Sequence, residues 1–379
     1  MTQQELDRLL DTNFTIPVEI RTATFPNNTP YPQLNNIDQT GLEITARELL
    51  HAIGSKTAAL PANYQDDCIH SAFKFLHLLD FEGENLGYKA TINLGSDLQT
   101  NTSNEIGVGV GCLVASKLFN VDWDTLEAVA GRGVRFDYRA TNPGQNYVYE
   151  FKGTKHRRNQ IRDIASGLSK KETMHNRNEQ YDVELIVSTH FGNSNEPPRI
   201  ILADPPFEGF QNEFTEEAGI VYRLRHLARI AQFIGDTKLS RVLYMQSREF
   251  ITKKDDSQIQ ELGETLQRRV IKSSEPQKLL EKTTAIKIDN KNFIGQWVSS
   301  LQPEGKTNKG KIIKLPKFAD KGKVEIFQGA SIDLYKTMTE TSLSDLKQNL
   351  KYDREKIKAN NNIEYTTFGD GTVMGFRII

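Results

Sequence analysis

Tyr147-Val148-Tyr149-Glu150-Phe151-Lys152, broken by Gly153-Thr154, is the stretch on which the reading of this chain turns. Its alternation predicts a β-strand: Tyr147, Tyr149 and Phe151 share one face and enter a core, while Glu150 and Lys152 project together from the other. Upstream, Val134-Arg135-Phe136-Asp137 is a short apolar run that closes on a carboxylate, and Asn142-Pro143-Gly144 is a strong turn signal between the two. Consecutive strands would bring Asp137, Glu150 and Lys152 to one sheet edge. Asp and Glu oxygens are hard donors suited to Mg²⁺, and an amine beside them orients a water or offsets developing charge, which is what phosphodiester hydrolysis requires.

The flanks extend the pattern. Ser103 to Phe119 reads as a helix with Ser103 as N-cap and Glu105 in its first turn, although Gly107, Gly109 and Gly111 oppose helix there. Leu126 to Ala130 and Val134 to Asp137 are apolar runs separated by Gly131-Arg132-Gly133. His156 to Lys171 reads as a basic helix, Val183 to Ser188 as a buried strand and Arg199 to Ala203 as another. The order helix, three-stranded meander, helix, strand, with Asp137 followed by Glu150-x-Lys152, resembles the PD-(D/E)XK nuclease superfamily over about residues 103 to 204.

That resemblance implies an α/β fold with a restriction endonuclease-like core and with helical and β-rich additions. It implies an endonuclease dependent on Mg²⁺ or Mn²⁺ that hydrolyses phosphodiester bonds of DNA. Asp137, Glu150 and the backbone carbonyl of Phe151 would hold the metal, Lys152 would position the hydrolytic water, and Glu105 would add a further carboxylate. A bacterial role in defence against phage, with a partner protein or as a homo-oligomer, is what the resemblance suggests beyond chemistry. The chain departs from the family pattern at Phe136, where a proline often precedes the aspartate, and at Ile164, which follows Gln160 where one branch has tyrosine. An RNA-directed nuclease, or a non-catalytic subunit that binds nucleic acid or protein on the same fold, fits the same residues. Taken singly, Asp137 also suits a turn cap and Glu150/Lys152 a solvated ion pair; the joint pattern carries the reading.

Lys155, His156, Arg157, Arg158 and Arg162 follow the Glu150 strand directly, where cations would grip the phosphates on both sides of a cut bond. The chain is nearly neutral, with 48 Lys+Arg against 49 Asp+Glu. Its halves are not: residues 1–150 hold 10 Lys+Arg against 19 Asp+Glu and the remainder 38 against 30, which directs any nucleic-acid surface to the second half. A lysine-rich stretch from Lys306 to Lys323, near Trp297 and Phe318, reads either as a second strand-binding surface or as solvated strand edges.

With 379 residues the chain has the length for two or three domains. They are expected as a lead-in over 1–60, a nuclease core over 61–210, a helical region over 211–284 and a basic β-rich region over 285–379. Cys68 and Cys112 are too few for a disulfide framework, which favours a reducing cytoplasm, and neither a leader peptide nor a membrane-spanning run is expected. Asp204-Pro205-Pro206-Phe207 resembles the catalytic tetrapeptide of DNA amino-methyltransferases, but no glycine-rich strand-to-helix turn for a methyl donor accompanies it.

Overall fold

The computed structural model describes residues 2–21, 34, 36–57, 75–76, 78–80, 84–88, 96–129, 134–142, 145–177, 179, 181–192, 196–204, 216–252, 284–288, 291–299, 304–306, 312–314, 324–340, 354–358 and 363–379. The quoted stretch lies in the middle of a six-stranded mixed sheet built from β1 (Val18–Ile20), β2 (Glu127–Ala128), β3 (Tyr138–Asn142), β4 (Gln145–Thr154), β5 (Val183–His190) and β6 (Arg199–Ala203). Their spatial order is β1-β6-β5-β4-β3-β2. β2, β3 and β4 form an antiparallel meander, β5 lies parallel to β4 with Glu150 opposite Ile186, and β6 returns antiparallel to β5.

Both faces of this sheet are covered, which is why every residue of β5 is buried. On one face lies helix α3 (Ser96–Phe119), against the stacked rings of Tyr147, Tyr149 and Phe151, whose centroids stand 6.0 and 5.2 Å apart. On the other lies helix α4 (Asn159–His175), over a small core of Val148, Ile164, Met174, Ile186 and Ile201.

The glycines that argue against helix α3 in sequence are what let it sit so close. A Cβ on Gly107 would stand 2.3 Å from the Gly153 nitrogen, and one on Gly111 would stand 2.3 Å from the Phe151 ring. Contact with the sheet outweighs the helix penalty of about 1 kcal/mol for each glycine. The helix starts at Ser96, so Ser103 is not its N-cap: buried, it presses its carbonyl toward Gly153, and Glu105 stands in the body of the helix instead of its first turn.

Two further boundaries move. The strand of the meander begins at Tyr138, one residue after Asp137, so the Val134–Asp137 run leads into the strand instead of forming it. The basic helix begins at Asn159, not His156. Residues 155–158 form a turn, in which the His156 amide donates to Thr154 Oγ1 at 3.3 Å and the Asn159 amide to the His156 carbonyl at 2.8 Å.

Residues 1–60, read as a lead-in, carry helix α1 (Gln3–Leu10), a strand pair Asn13–Ile16/Leu42–Thr45, the edge strand β1 and helix α2 (Ala46–Lys56). Both helices open on capping boxes, Thr2 with Glu5 and Thr45 with Glu48. Helices α5 (Glu216–Phe233) and α6 (Thr237–Thr252) account for the described part of the helical region; apolar spacing in the sequence also predicts helices over Ser257–Ile271 and Gln65–Leu79, of which the first and most of the second lie outside the described residues.

The described C-terminal residues build a second six-stranded sheet. Strands β7 (Thr284–Ile288), β8 (Lys291–Ser299), β9 (Val324–Ser331), β10 (Arg354–Lys358), β11 (Glu364–Phe368) and β12 (Thr372–Ile378) pair in the order β7-β8-β9-β12-β11-β10, all antiparallel, with helix α7 (Ile332–Glu340) following β9. Trp297 does not offer a free stacking surface: the Arg377 guanidinium covers it at 4.0 Å and Phe327 lies 5.4 Å away. Most of the Lys306–Lys323 stretch and Phe318 lie outside the described residues.

One apolar core runs from α1 through α2, α3 and α5 into this second sheet. At the junction a buried polar network fastens the two. Lys56 Nζ donates to the carbonyls of Trp123 (2.7 Å) and Leu126 (3.0 Å), the Trp123 indole donates to Asp370 Oδ2 (3.1 Å), and Thr372 donates to Asp370 Oδ1 from both its amide and hydroxyl. Burial pushes His51 down to about 4 and His226 to about 3, so both imidazoles are neutral at pH 7, and it lowers Lys56 to about 8, with Asp370 among the nearby charges that pull it back up. Asp370→Ala leaves the buried Trp123 indole N–H and the Thr372 amide and hydroxyl without their acceptor and is expected to lower unfolding free energy by about 2 to 3 kcal/mol, measured by urea denaturation. A loss under about 1 kcal/mol would mean that the junction is wet.

Candidate functional site

Alternation along β4 delivers what the sequence promises: Tyr147, Tyr149 and Phe151 enter the α3 core, and Glu150 and Lys152 emerge on the α4 side. Asp137, at the entrance to β3, reaches the same place, because β3 pairs with β4 through Tyr138 opposite Tyr149. Lys152 Nζ lies 2.6 Å from Glu150 Oε1 and 3.2 Å from Asp137 Oδ2.

A fourth member comes from α4. Lys170 Nζ lies 2.7 and 2.8 Å from the two Glu150 oxygens and 3.4 Å from Asp137 Oδ1, so that one ammonium bridges both carboxylates. Asp163, two helical turns before Lys170 on α4, takes the Ser188 hydroxyl at 3.2 Å and acts electrostatically on Lys152. Neither residue was singled out in the sequence. Their signal is helical spacing: Asp163, Gly167 and Lys170 share a face, and Gly167 brings that face onto the sheet, where a Cβ would stand 2.7 Å from the Ile186 side chain.

Accessibility grades the four. The Glu150 side chain is wholly buried, those of Lys152 and Lys170 are 26% and 24% exposed, and that of Asp137 is 39% exposed, so the cluster opens to solvent on the Asp137 side. Burial, then the neighbouring Asp137, pushes the Glu150 carboxyl above the usual carboxylate range against the pull of the two lysines. Burial alone would lower Lys152, but Glu150 and Asp137 outweigh it and hold the ammonium above its ordinary value. Lys152 is therefore a cation here, able to orient a water or a phosphate oxygen but not to accept a proton.

Glu105 lies near Tyr138, whose phenol burial pushes up, with the nearby Asp137 and Glu105 carboxylates adding to the effect. His156, Arg157, Arg158 and Arg162 are exposed, with Lys155 half-buried beside them. The Lys155 carbonyl meets His190 Nε2 at 3.1 Å, and Arg157 faces Arg199, so this basic group lies at the end of the sheet where β4 finishes and β6 begins. Gln160 is structural: it donates to the carbonyls of Ser188 (2.8 Å) and Arg199 (3.1 Å).

Among the described residues no group of three or more His, Cys, Asp or Glu side chains is placed to hold a metal ion. A divalent cation at this cluster would rest on Asp137, Glu150 and the Phe151 carbonyl, with water and substrate oxygens completing its shell. Such a sparse set of hard donors suits Mg²⁺, which keeps several waters and shares its coordination with phosphate.

A second lysine–dicarboxylate set lies deeper on the same sheet face. Lys171 Nζ stands 3.0 Å from Asp204 Oδ1 and 3.2 Å from Glu184 Oε2, and His175 Nε2 meets Glu184 Oε2 at 2.6 Å. The side chains of Lys171, His175 and Glu184 are all less than a tenth exposed, which makes this set a fastening of α4 to β5 and β6. Asp204 is thereby occupied by Lys171; Pro205, Pro206 and Phe207 lie outside the described residues.

Burial pushes the Asp204 carboxyl from 3.8 up to about 6, Lys171 offsetting only part of it. The native state binds this proton more tightly than the unfolded chain, so stability from this group is full below about pH 4 and is lost as pH rises through about 6. Two units of difference correspond to roughly 3 kcal/mol. Asp204→Asn is expected to gain about that much on the wild type between pH 4 and pH 7 in urea unfolding; a difference that stays constant with pH contradicts the assignment.

Among the described residues no helix is long and apolar enough to cross a membrane. Comparison of the chain with protein-family models, with curated proteins and with solved structures found no match in any of the three.

Proposed function

We propose that the chain is a divalent-metal-dependent nuclease with a restriction endonuclease-like core, acting on DNA at the Asp137–Glu150–Lys152 cluster. The observation that carries this is the convergence of two carboxylates and a protonated lysine at a solvent-open point of the central sheet, within 2.6 to 3.4 Å of a bridging cation or of each other. The element order supports it: helix α3, the β2–β3–β4 meander, helix α4 and the parallel strand β5 follow the order that the PD-(D/E)XK resemblance implies.

In this reading Asp137, Glu150 and the Phe151 carbonyl hold Mg²⁺ or Mn²⁺, which when bound supplies Lewis acidity at the scissile phosphate. Lys152 orients the attacking water through its ammonium and offsets the charge that grows on the phosphate oxygens. Lys155, His156, Arg157, Arg158 and Arg162 engage flanking phosphates from the turn and the first helical turn of α4. Glu105, close to the same Tyr138 as Asp137, would add a further carboxylate.

The test is incubation of the protein with plasmid, single-stranded DNA and RNA in Mg²⁺, Mn²⁺ or EDTA, beside the Glu150→Ala/Lys152→Ala variant. Cleavage that needs metal and disappears in the variant supports the reading, and the substrate cut fixes DNA or RNA. Binding without cleavage of any of the three, under every metal condition, would favour the non-catalytic binding subunit. Metal-independent cleavage, or cleavage that survives in the variant, would remove the site.

A further inference from the structure

The two lysine–dicarboxylate sets on α4 are chemically alike and physically opposite. Lys171 is shut in, its side chain 8% exposed and flanked by Glu184 at 3% and Asp204 at 13%, with His175 adding a further contact. Lys170, the next residue, is 24% exposed, and its partner Asp137 is 39% exposed. The first arrangement is a permanent fastening, whereas the second can open without exposing a core.

Lys170 also takes the bridging position. It contacts both oxygens of Glu150 and the Asp137 oxygen that Lys152 does not contact. Two carboxylates with two ammonium groups make a neutral cluster. A divalent cation that joined it without displacing anything would place two lysines beside a dication in a half-buried site, at a large Coulombic cost. Lys152 is carried by the same strand as Glu150, two residues away, and its position is set by the sheet. Lys170 hangs from a separate helix on a flexible four-carbon stem and can swing out to water.

We propose that Lys170 is an exchangeable counter-ion: it neutralises Asp137 and Glu150 in the metal-free protein, leaves when the divalent cation enters, and offers its freed ammonium to a substrate phosphate. This deepens the nuclease reading and rests on it. The exchange makes metal loading weak in the absence of nucleic acid, because the cation must displace a good counter-ion. It becomes stronger once a phosphate is present to receive Lys170.

The test is Mn²⁺ affinity measured by electron paramagnetic resonance on the full chain without nucleic acid, for wild type, Lys170→Met, Lys170→Arg and Glu150→Gln, with thermal melting as the check on folding. Lys170→Met is expected to bind Mn²⁺ at least about tenfold more tightly than wild type, within the usual span of coupling between two ligands. Lys170→Arg, which keeps the charge, is expected to stay near wild type, and Glu150→Gln to lose the site. Wild-type binding that is unchanged or weakened in a folded Lys170→Met overturns the exchange while leaving the metal site standing. Absence of Mn²⁺ binding in both wild type and Lys170→Met overturns the metal site and the exchange together.

Discussion

Glu150→Gln is expected to lower the metal-dependent cleavage rate by about 10³-fold or more while leaving the fold intact, the scale set by removal of one preorganised electrostatic group from a catalytic centre. The substitution changes no volume, so the buried pocket between β4 and α4 keeps its packing. What it removes is the charge that both Lys152 and Lys170 contact at 2.6 to 2.8 Å and half of the carboxylate pair available to a cation. Both lysine side chains are about a quarter exposed and can turn toward water, so unfolding free energy should move by no more than about 1 kcal/mol. Single-turnover cleavage in Mg²⁺ and urea denaturation measure the two halves. A folded variant that cuts at the wild-type rate would place the chemistry elsewhere.

Gly153→Ala is expected to cost more than about 3 kcal/mol or to prevent folding, beyond the ordinary range for overpacking, because neither partner in the clash can turn away. A Cβ there would stand 1.7 Å from the Ser103 carbonyl oxygen and 2.9 Å from the Gly107 nitrogen, all backbone atoms. Relief requires α3 to retreat from β4, which separates Gly111 from the Phe151 ring and loosens the aromatic face that fixes the direction of Glu150 and Lys152. Yield of soluble protein and urea midpoint report the outcome. An alanine variant as stable as wild type would mean that α3 does not press on β4 at this point.

How much of this was legible in the sequence follows from range. Alternation over Tyr147–Lys152 is local, and it gave the strand, the face that enters the α3 core and the placing of Glu150 and Lys152 together on the opposite face, all as found; that this second face is itself covered and Glu150 buried was not visible. The turn after Asn142 was also visible, since Asn142 faces Gln145 across β3 and β4. The start of α3 was hidden because its first two turns, Ser96 to Thr102, are polar apart from Leu98 and its middle is rich in glycine, features that only a close-packed neighbour makes compatible with helix.

The pairing of β1 with β6 joins Val18 to Ile200, a contact that no short-range pattern announces. Lys170 escaped notice for a related reason: within a helix that also carries Arg162, Lys170 and Lys171, sequence does not say which cation faces carboxylates until the sheet beneath is placed. The adjacent pair Lys170/Lys171 then divides between an open set and a closed one by a rotation of about 100° around the helix axis.

Diffraction from crystals soaked in Mn²⁺, recorded for its anomalous signal, tests the central claim most directly. The account predicts a single strong peak in contact with the Asp137 and Glu150 carboxylates and the Phe151 carbonyl, with Lys170 turned away from both. A saturating soak that leaves Lys170 between the two carboxylates, with no peak there, would contradict it.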